Sequence, residues 1–455
     1  MMSRSSRSDC MPTRVILVQR LLDGEQCMLH ELRALAEAAG YEVVSELTQK
    51  RAPDSRYNIG RGKVEELREL ISKTGASKVI FFNLLKPNQV YNLRKELGVE
   101  VIDRYELILE IFAKRAGSKE AKLQIELARL KRELSFAREY INLQKRGELH
   151  GFMGGGRYAV DAYYEYVVSR ISKIEEDLRA LRKTKSMRWL RRHEAGLFSV
   201  ALTGYTGAGK TTLFNKLASW SGYVDGKPFA TLSTKTRLVN MLGMPILISD
   251  TIGFIDSLPE QLLDAFYTTL GEISYSDLVL FLVDVSENPK EVERKVIAGM
   301  SILSSLGIPP SKVLIAANKV DSAQPSILEA NLHQLETLNS LGVVPISART
   351  NYNLNELEKK IVESLPGRTR KLLRIPSELF DVTMREIESK CRVLEVTINN
   401  KWIDILFECK KDVAERISKK FGSVCESILS IPAEYPVLDT ASHELMTSAG
   451  PAEQS

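Results

Sequence analysis

The chain has 455 residues, of which 44% are hydrophobic and 27% charged, and its net charge is +5. This length exceeds the size of a single hydrophobic core, so several domains are expected. The composition excludes a low-complexity or fibrous protein, and the absence of any apolar run of roughly 18 residues excludes a membrane span.

Residues 1–12 are predicted to be a disordered leader, and residues 13–112 to form a small parallel α/β domain, because β-rich runs alternate with helical patterns. A glycine-rich stretch within this domain, NIGRGKVEEL, places Gly60, Arg61, Gly62 and Lys63 at a helix start. Free backbone N–H groups there can hold an anion. An ordinary glycine turn is the alternative. The predicted strands are TRVILVQR, YEVVSEL, SKVIFFN and VEVID.

Residues 113–195 have a different period. Apolar side chains step by four and three residues along two runs, separated by HGFMGGGRY, which is too rich in glycine to remain helical. This pattern predicts an antiparallel coiled-coil arm, with about 28 residues per helix and a length of roughly 40 Å. The runs are Leu123, Leu127, Leu130, Leu134, Ala137 and Ile141, then Val160, Tyr164, Val167, Ile171, Ile174, Leu178 and Leu181.

The arm is also where positive charge is concentrated. Between Lys114 and Arg192 there are 20 Lys and Arg residues against 10 Asp and Glu residues, so the rest of the chain is net negative. This distribution predicts contact with a polyanion, and nucleic acid is the expected one; a solvated helix surface is the alternative.

Residues 196–366 are predicted to form a doubly wound α/β domain, because their apolar runs are nearly continuous, as in strands covered on both faces. After the basic segment GRTRKLLR, interpreted as a linker, residues 367–435 predict a small α+β domain. It contains a hairpin, RVLEVTI and WIDILFEC, and a helix from Lys411 to Phe421. Residues 436–455 are polar and aperiodic and are predicted to be a disordered tail.

A phosphate-binding loop is predicted at GYTGAGKT, which follows a strand and precedes a helix as GxxxxGK[ST] requires. Its glycines let consecutive backbone N–H groups curl around a β-phosphate. Lys210 is expected to contact the β- and γ-phosphates, and the Thr211 hydroxyl to ligate Mg²⁺.

The nucleotide base is predicted from NKVD, Asn318 to Asp321, at the end of a buried strand. A carboxylate at Asp321 can accept two N–H bonds from guanine, and adenine offers no such pair of donors. The sequence SAR follows the next strand, where the Ala348 N–H is expected to meet guanine O6. The preferred nucleotide is therefore GTP.

The switch segment DTIGF raises a question about hydrolysis. Asp250 is expected to hold magnesium through water and the Gly253 N–H to sense the γ-phosphate, but Phe254 occupies the position where many such enzymes carry a water-orienting glutamine. Either Phe254 gates hydrolysis until a partner docks, or its ring simply packs in the core. Spacing leaves four candidates for the second magnesium-ligating hydroxyl: Thr231, Ser233, Thr234 and Thr236.

On these residues the chain resembles the HflX-type GTPases, a group related to the Obg proteins. The resemblance covers about residues 60–366. It is carried by NIGRGKVEEL, KPNQVYNLRKEL, VIDRYELILEIFAKRA, KLQIELARL, GYTGAGKTTLFN, FATL and DTIGFIDSLPEQLLDAFYTTLGEI. It implies the same domain order, ribosome-stimulated GTP hydrolysis, binding to the large ribosomal subunit (rRNA), and splitting or rescue of stalled ribosomes. Carried over, FATL makes Thr231 the switch threonine.

The motifs and the resemblance together define the predicted site. Catalysis is assigned to Lys210, Thr231 and Gly253. The cofactor Mg²⁺ is assigned to Thr211, Thr231 and, through water, Asp250. The predicted GTP contacts are Gly204, Tyr205, Thr206, Gly207, Ala208, Gly209, Lys210, Thr211, Thr212, Phe229, Ala230, Thr231, Asp250, Thr251, Ile252, Gly253, Asn318, Lys319, Asp321, Ser347, Ala348 and Arg349.

The predicted function is that of a monomeric, cytoplasmic GTPase that acts on the large ribosomal subunit. Five cysteines without a CxxC pair are consistent with a reducing compartment. Two alternatives remain at this level: a GTP-gated regulator of another protein or messenger RNA, and an RNA-remodelling NTPase with a second nucleotide site at the GRGK stretch.

Overall fold

The computed structural model describes residues 12–145, 156–218, 235–251, 253–254, 273–338, 340–399, 401–421 and 428–431. Within these ranges, the side chains of residues 136–145, 156–162 and 428–431 and of several positions between 182 and 195 are not described. No helix of the described part is both long and apolar enough to cross a membrane.

The first unit is a four-stranded parallel sheet of order β2-β1-β3-β4 covered by helices. The helix that follows β4 was not predicted; it buries the apolar run around Leu107, Ile108 and Ile111 against the sheet, and the Asp103 carboxylate caps its N-terminus. The elements are β1 (Arg14–Leu21), α1 (Leu29–Ala38), β2 (Glu42–Lys50), α2 (Arg61–Thr74), β3 (Lys78–Phe81), α3 (Pro87–Leu97), β4 (Glu100–Asp103) and α4 (Arg104–Arg115).

The arm consists of α5 (Lys119–Lys145) and α6 (Gly156–Ala195). Its seam is formed by the predicted heptad residues Leu123, Leu127, Ile174 and Leu178, with Leu130, Ile171 and Leu181 packed around them. The heptad prediction is confirmed for these positions. The side chains of Ala137, Ile141 and Val160, and the whole tip loop at residues 146–155, lie outside the described residues.

The root of the arm is fixed to the N-terminal unit. Ala121, Ile125 and Ala128 on a second face of α5 join the core formed by α1 and α4. Arg132 donates to both carboxylate oxygens of the buried Asp103, at 2.8 and 2.5 Å. The arm is therefore packed against the N-terminal unit at its root as well as along its own seam.

A six-stranded sheet of order β10-β9-β8-β5-β7-β6 follows, parallel except for β6. The edge strand β6, which contains the candidate Thr236, was not predicted. Its elements are β5 (Phe198–Gly204), α7 (Lys210–Leu217), β6 (Lys235–Met241), β7 (Met244–Asp250), β8 (Leu278–Asp284), α8 (Pro289–Ser305), a 3₁₀ turn (Pro310–Lys312), β9 (Val313–Asn318), α9 (Pro325–Glu336), β10 (Val343–Pro345) and α10 (Leu354–Ser364).

The C-terminal unit is an antiparallel sheet of order β12-β13-β11-β14. The segment GRTRKLLR, interpreted as a linker, is instead the central strand β11: Leu373 and Ile375 enter the core, while Arg368 and Arg370 pair with Glu408. Its elements are β11 (Arg368–Pro376), a 3₁₀ turn (Ser377–Leu379), α11 (Phe380–Glu388), β12 (Arg392–Asn399), β13 (Trp402–Lys410), α12 (Lys411–Phe421) and β14 (Ile428–Ile431).

The C-terminal unit is joined to the start of β5 by a buried ion pair. Lys410 Nζ donates to the Leu197 carbonyl at 3.0 Å and to Asp277 Oδ2 at 2.8 Å, and the same carboxylate oxygen accepts from the Ser199 N–H. The predicted fold class, a multidomain α/β chain with a parallel N-terminal sheet, a helical arm, a P-loop domain and a small α+β domain, is confirmed.

Candidate functional site

The predicted phosphate loop lies between β5 and α7, at the carboxyl end of the central strand of the six-stranded sheet. Two of its glycines cannot be replaced without displacing backbone or a buried amide. A Cβ on Gly204 would lie 2.3 Å from the Leu282 carbonyl oxygen, and one on Gly209 2.3 Å from Asn318 Nδ2; both have positive φ, 138° and 96°. The loop is therefore packed against β8 and the NKVD segment on one side.

Lys210 points back into this loop. Its ammonium donates to the carbonyls of Gly204 at 3.0 Å and Tyr205 at 2.7 Å, and the side chain is buried. Burial lowers the pKa of Lys210 to about 8, and the charge of Asp250 opposes that shift only in part. A buried cation with this deficit of neighbouring negative charge is suited to receive phosphate oxygens.

The pKa of Lys210 predicts a pH-dependent affinity for GDP. Bound phosphates favour the ammonium, so its pKa rises on binding. Below about pH 8 the lysine is charged in both states and affinity is flat; above pH 8 binding must take up a proton, and affinity falls by up to about tenfold per pH unit. Isothermal titration calorimetry between pH 7 and 9.5 measures how the affinity for GDP depends on pH. The variant Lys210→Arg stays charged and keeps the guanine contacts, so a slope equal to wild type in that variant would contradict the assignment.

Two predicted magnesium ligands lie next to each other. The Thr211 hydroxyl donates to Asp250 Oδ2 at 3.0 Å, and Asp250 is fully buried at the end of β7. A buried carboxylate beside a hydroxyl is an oxygen donor set that Mg²⁺ prefers, and the remaining positions suit phosphate oxygens and water. The residues present therefore fit a magnesium ion.

Gly253 lies directly beside the lysine. A Cβ at this position would be 2.6 Å from Lys210 Nζ and 3.0 Å from the Thr206 side chain. The structure thus brings together the two groups predicted to contact the γ-phosphate, from segments 43 positions apart in sequence. Any side chain here would displace the ammonium.

Phe254 does not face this site. Its N–H donates to the Gly204 carbonyl at 2.9 Å, and its carbonyl accepts from the Thr206 N–H at 2.8 Å, so the switch segment pairs with the phosphate loop as a short parallel bridge. The ring is 5% exposed and packs edge-on against Tyr205, with Phe281 on its other side. In this structure Phe254 is a core residue.

Replacing Phe254 with glutamine is expected to destabilise the fold without accelerating intrinsic hydrolysis. The change removes a buried ring and places an amide in an apolar site, at a cost of about 3–5 kcal/mol. Chemical denaturation and single-turnover GTP hydrolysis measure the two effects. Phe254→Leu, which keeps the site apolar, should lose much less stability. A glutamine variant of wild-type stability with faster hydrolysis would show that the side chain faces the water.

The base-recognition segment is tied to the phosphate loop through Asn318. Its Nδ2 donates to the Ala208 carbonyl at 2.7 Å, and its Oδ1 accepts from the Ala348 N–H at 2.9 Å. The NKVD and SAR segments are therefore held in one arrangement with the loop. The Ala348 N–H, predicted to meet guanine O6, is engaged by Asn318 here, so O6 would have to share that donor.

Asp321 is exposed, and its pKa is lowered chiefly by a hydrogen bond from the Ser347 hydroxyl, with a second from Ser322. The carboxylate is therefore ionised at neutral pH and acceptor-only, as recognition of two guanine N–H groups requires. Ser347 itself is buried and also accepts from the Thr350 N–H, which fixes the SAR turn.

One residue that sequence reasoning missed is Asp284, at the carboxyl end of β8. Its carboxylate pairs with the ammonium of Lys319, whose backbone is left-handed with φ of 72°. An acidic residue at the carboxyl end of a buried parallel strand was the available signal, since ligands bind at this edge of such sheets. Asp284 therefore orients the lysine of the NKVD segment.

The other predicted contacts are distributed as follows. Thr251 is buried, and its hydroxyl donates to the Leu202 carbonyl, so it joins two strands. Thr212 lies in the first turn of α7, and Gly207 lies in the predicted phosphate loop with φ of 84°. Arg349 is the exposed last residue of the SAR segment. Thr236, one of the spacing candidates, lies in β6 and shares a hydrogen bond with Ser249. Outside the described residues lie Phe229, Ala230, Thr231, Ser233, Thr234 and Ile252.

The N-terminal stretch NIGRGK is an ordered turn in this structure. The N–H of Gly60, the residue that precedes α2, donates to Gln49 Oε1 at 2.8 Å, and the Arg51 guanidinium covers the place where a Cβ would be. Arg61 and Lys63 form ion pairs with glutamates one turn along α2. The Gly60 N–H and the side chains of Arg61 and Lys63 are thus engaged within the domain, which favours the alternative of an ordinary glycine turn.

Comparison with known proteins agrees with this geometry. Three family models match in chain order: a GTP-binding GTPase N-terminal domain over residues 26–113, a GTP-binding GTPase middle region over 115–192, and a 50S ribosome-binding GTPase over 199–319. The chain is 55% identical over 411 residues to a GTPase HflX of Thermofilum pendens, covering 90% of this chain and 97% of that one.

Further relatives carry the same name. A GTPase HflX of Thermococcus kodakarensis is 39% identical, with 85% of this chain and 90% of that one covered. Among solved structures, a complex of a protein called SsGBP with GDP is 29% identical, with a TM-score of 0.49 and coverage of 78% of this chain and 98% of that one.

Proposed function

Because the chain belongs to the HflX family of GTPases, we propose that it binds the large ribosomal subunit and splits or rescues stalled ribosomes, with GTP hydrolysis stimulated by that subunit. The chain is a GTP hydrolase. The proposal is supported chiefly by the convergence of Lys210, Asp250, Gly253 and Asn318 on one loop, within a domain matched by the 50S ribosome-binding GTPase family.

These contacts support the roles proposed for Lys210 and Gly253, whereas the role of Thr231, which lies outside the described residues, is proposed from the family resemblance of FATL. Lys210 holds the β- and γ-phosphates, the Gly253 N–H senses the γ-phosphate, and Thr231 completes the switch. Thr211 and Asp250 would hold Mg²⁺, which would neutralise developing charge on the phosphates. Asp321 accepts the guanine N–H groups, and Asn318 keeps the SAR turn against the loop.

The site supplies no side chain that orients the attacking water among the residues the structure describes near Gly253, since Phe254 is turned into the core. Ground-state binding is complete without such a group, while hydrolysis is slow. Docking on the large subunit supplies the missing group or reshapes the switch. The basic arm, fixed at its root to the N-terminal sheet, is the element that reaches the ribosomal RNA.

Purified large subunits are expected to increase GTP turnover by roughly 10³-fold, the lower end of the range for a catalytic group supplied in trans. Multiple-turnover phosphate release with and without subunits measures this. Small subunits at equal concentration are the control, because they present RNA of the same charge. Equal rates with large subunits, small subunits and buffer would refute the stimulation.

Co-sedimentation with a non-hydrolysable GTP analogue separates ribosome binding from action on another protein or messenger RNA.

A further inference from the structure

A cavity of about 360 Å³ lies where the GTPase domain meets the C-terminal sheet. It shares no lining residue with the predicted nucleotide site. The GTPase domain contributes Leu242, Lys359, Val362 and Glu363, and the C-terminal sheet contributes Arg368, Arg370, Arg392 and Glu408.

The lining carries a surplus of positive charge. Glu408 is fully buried; its Oε1 accepts from Arg368 Nη1 at 2.9 Å and lies 3.5 Å from Arg370 Nε, and its Oε2 lies 3.9 Å from Arg392 Nη1. One carboxylate therefore faces three guanidinium groups. The lining as a whole carries four cations, Lys359 and the three arginines, against two carboxylates, Glu363 and Glu408, so an anion in the cavity would offset the remaining positive charge.

The carboxylate also has spare acceptor capacity. Glu408 Oε2 is buried and has no hydrogen-bond partner within the described residues. A ligand that fits this cavity therefore presents negative oxygens to the arginines and one O–H donor to Oε2. Hydrogen phosphate has both near neutral pH, and so does a phosphate ester with a neighbouring hydroxyl, whereas sulfate has no donor.

We propose that this cavity binds a small phosphate-bearing molecule, with Arg368, Arg370 and Arg392 holding phosphate oxygens and Glu408 accepting a hydrogen bond from the ligand. Guanidinium forks suit phosphate because they donate two parallel hydrogen bonds. The cavity is a bounded cleft between two domains rather than an extended basic surface, which favours a small molecule over a nucleic-acid strand.

The site has a physical connection to the nucleotide switches. Leu242 and Gly243 form the tight turn between β6 and β7, both with positive φ, and a Cβ on Gly243 would lie 3.3 Å from Arg392 Cγ. Strand β7 ends at Asp250, the predicted magnesium ligand. A ligand that immobilises Arg392 therefore restrains the turn of the β6–β7 hairpin, whose second strand ends at the predicted nucleotide site.

The first test is thermal unfolding of the full chain saturated with GDP and Mg²⁺, so that the P-loop is occupied. Inorganic phosphate is titrated at constant ionic strength against sulfate and chloride. A saturable rise in Tm with phosphate, smaller with sulfate and lacking with chloride, is expected. The same rise in Lys210→Met shows that the effect does not arise at the nucleotide site. A phosphate effect equal to that of chloride would overturn the proposal.

Two variants locate the effect. Arg392→Gln should weaken phosphate roughly tenfold or more in isothermal titration, because it removes a charged donor. Glu408→Gln should abolish the preference for phosphate over sulfate, because its amide can donate to sulfate. Arg374→Gln is the matched control: Arg374 lies on the same strand as Arg368 but pairs with Asp404 outside the cavity.

Arg374→Gln should leave phosphate affinity unchanged even where it lowers stability. An equal loss of phosphate affinity in the Arg392 and Arg374 variants would mean that the loss arises from lower protein stability and not from a lost contact with phosphate. That result would overturn the proposed site. Single-stranded RNA binding that depends on Arg392 and resists competition by phosphate would assign the cavity to nucleic acid and likewise overturn it. The second readout is the ratio of phosphate affinity to sulfate affinity. If Glu408 had only a structural role, Glu408→Gln would not change this ratio.

Discussion

Lys210→Met is expected to abolish GTP hydrolysis while leaving the nucleotide-free protein at least as stable as the wild type. The lysine provides the buried charge opposite the phosphates, and losing one such preorganised donor costs roughly 10²–10³-fold in rate, with nucleotide affinity falling in parallel. The carbonyls that it contacts keep other donors, because Gly204 also accepts from Phe254 and Tyr205 from Ala208.

The stability change follows from the pKa of the same lysine. In the folded protein it is lowered from 10.5 to about 8, so the charged form is disfavoured relative to the unfolded chain by up to about 3 kcal/mol. Methionine has a similar length and no charge to bury. Differential scanning fluorimetry of nucleotide-free protein should show an equal or higher Tm at pH 7, and a large fall would indicate that the ammonium stabilises the loop. Thr212→Val, in the same first turn of α7, controls for general helix effects.

Asp321→Asn is expected to exchange guanine for xanthine specificity. The carboxylate accepts from guanine N1–H and N2–H; an amide offers one acceptor and one donor, and its donor then faces the exocyclic amine. Leaving such polar groups unpaired in a site costs roughly 10²–10³-fold or more in affinity. Xanthine has a carbonyl in place of that amine and matches the amide, so xanthosine triphosphate should bind the variant better than GTP does.

Competition of both nucleotides against a fluorescent analogue measures this exchange. Ser322→Ala is the matched control, since it removes a hydroxyl that donates to the Asp321 carboxylate and leaves the carboxylate in place; the preference of this variant for GTP should persist. A variant at Asp321 that retained GTP over xanthosine triphosphate would mean that another residue reads the base. If the variant still bound both nucleotides tightly, that result would instead indicate a second nucleotide site elsewhere in the chain.

The positions of Lys210 and Thr211 at the start of α7 could be predicted from sequence because they depend on a local pattern. GYTGAGKT follows a strand and opens a helix, and backbone geometry then dictates where Lys210 and Thr211 point. The heptad spacing predicted the arm seam for the same reason, since Leu123, Leu127, Ile174 and Leu178 repeat at the period of a coiled coil. Such features are fixed by residues close together in the chain.

What sequence could not predict depends on partners distant in the chain. GRTRKLLR has the composition of a solvated linker, and only pairing with β13 and the buried Glu408 makes it a central strand. From sequence alone the Phe254 ring could face either water or the core, and its contacts with Tyr205 and Phe281 in the structure decide for the core. The attachment of α5 to α1 and α4 likewise has no local signature, because the seam residues and the docking residues interleave on one helix.

The most direct test of the central claim is equilibrium binding of labelled GTP to the purified chain with Mg²⁺, with excess unlabelled GTP or ATP as competitor. The account predicts saturable binding at one site, displaced by GTP and not by ATP, and lost in Lys210→Met. No measurable binding, or displacement by ATP as readily as by GTP, would contradict it.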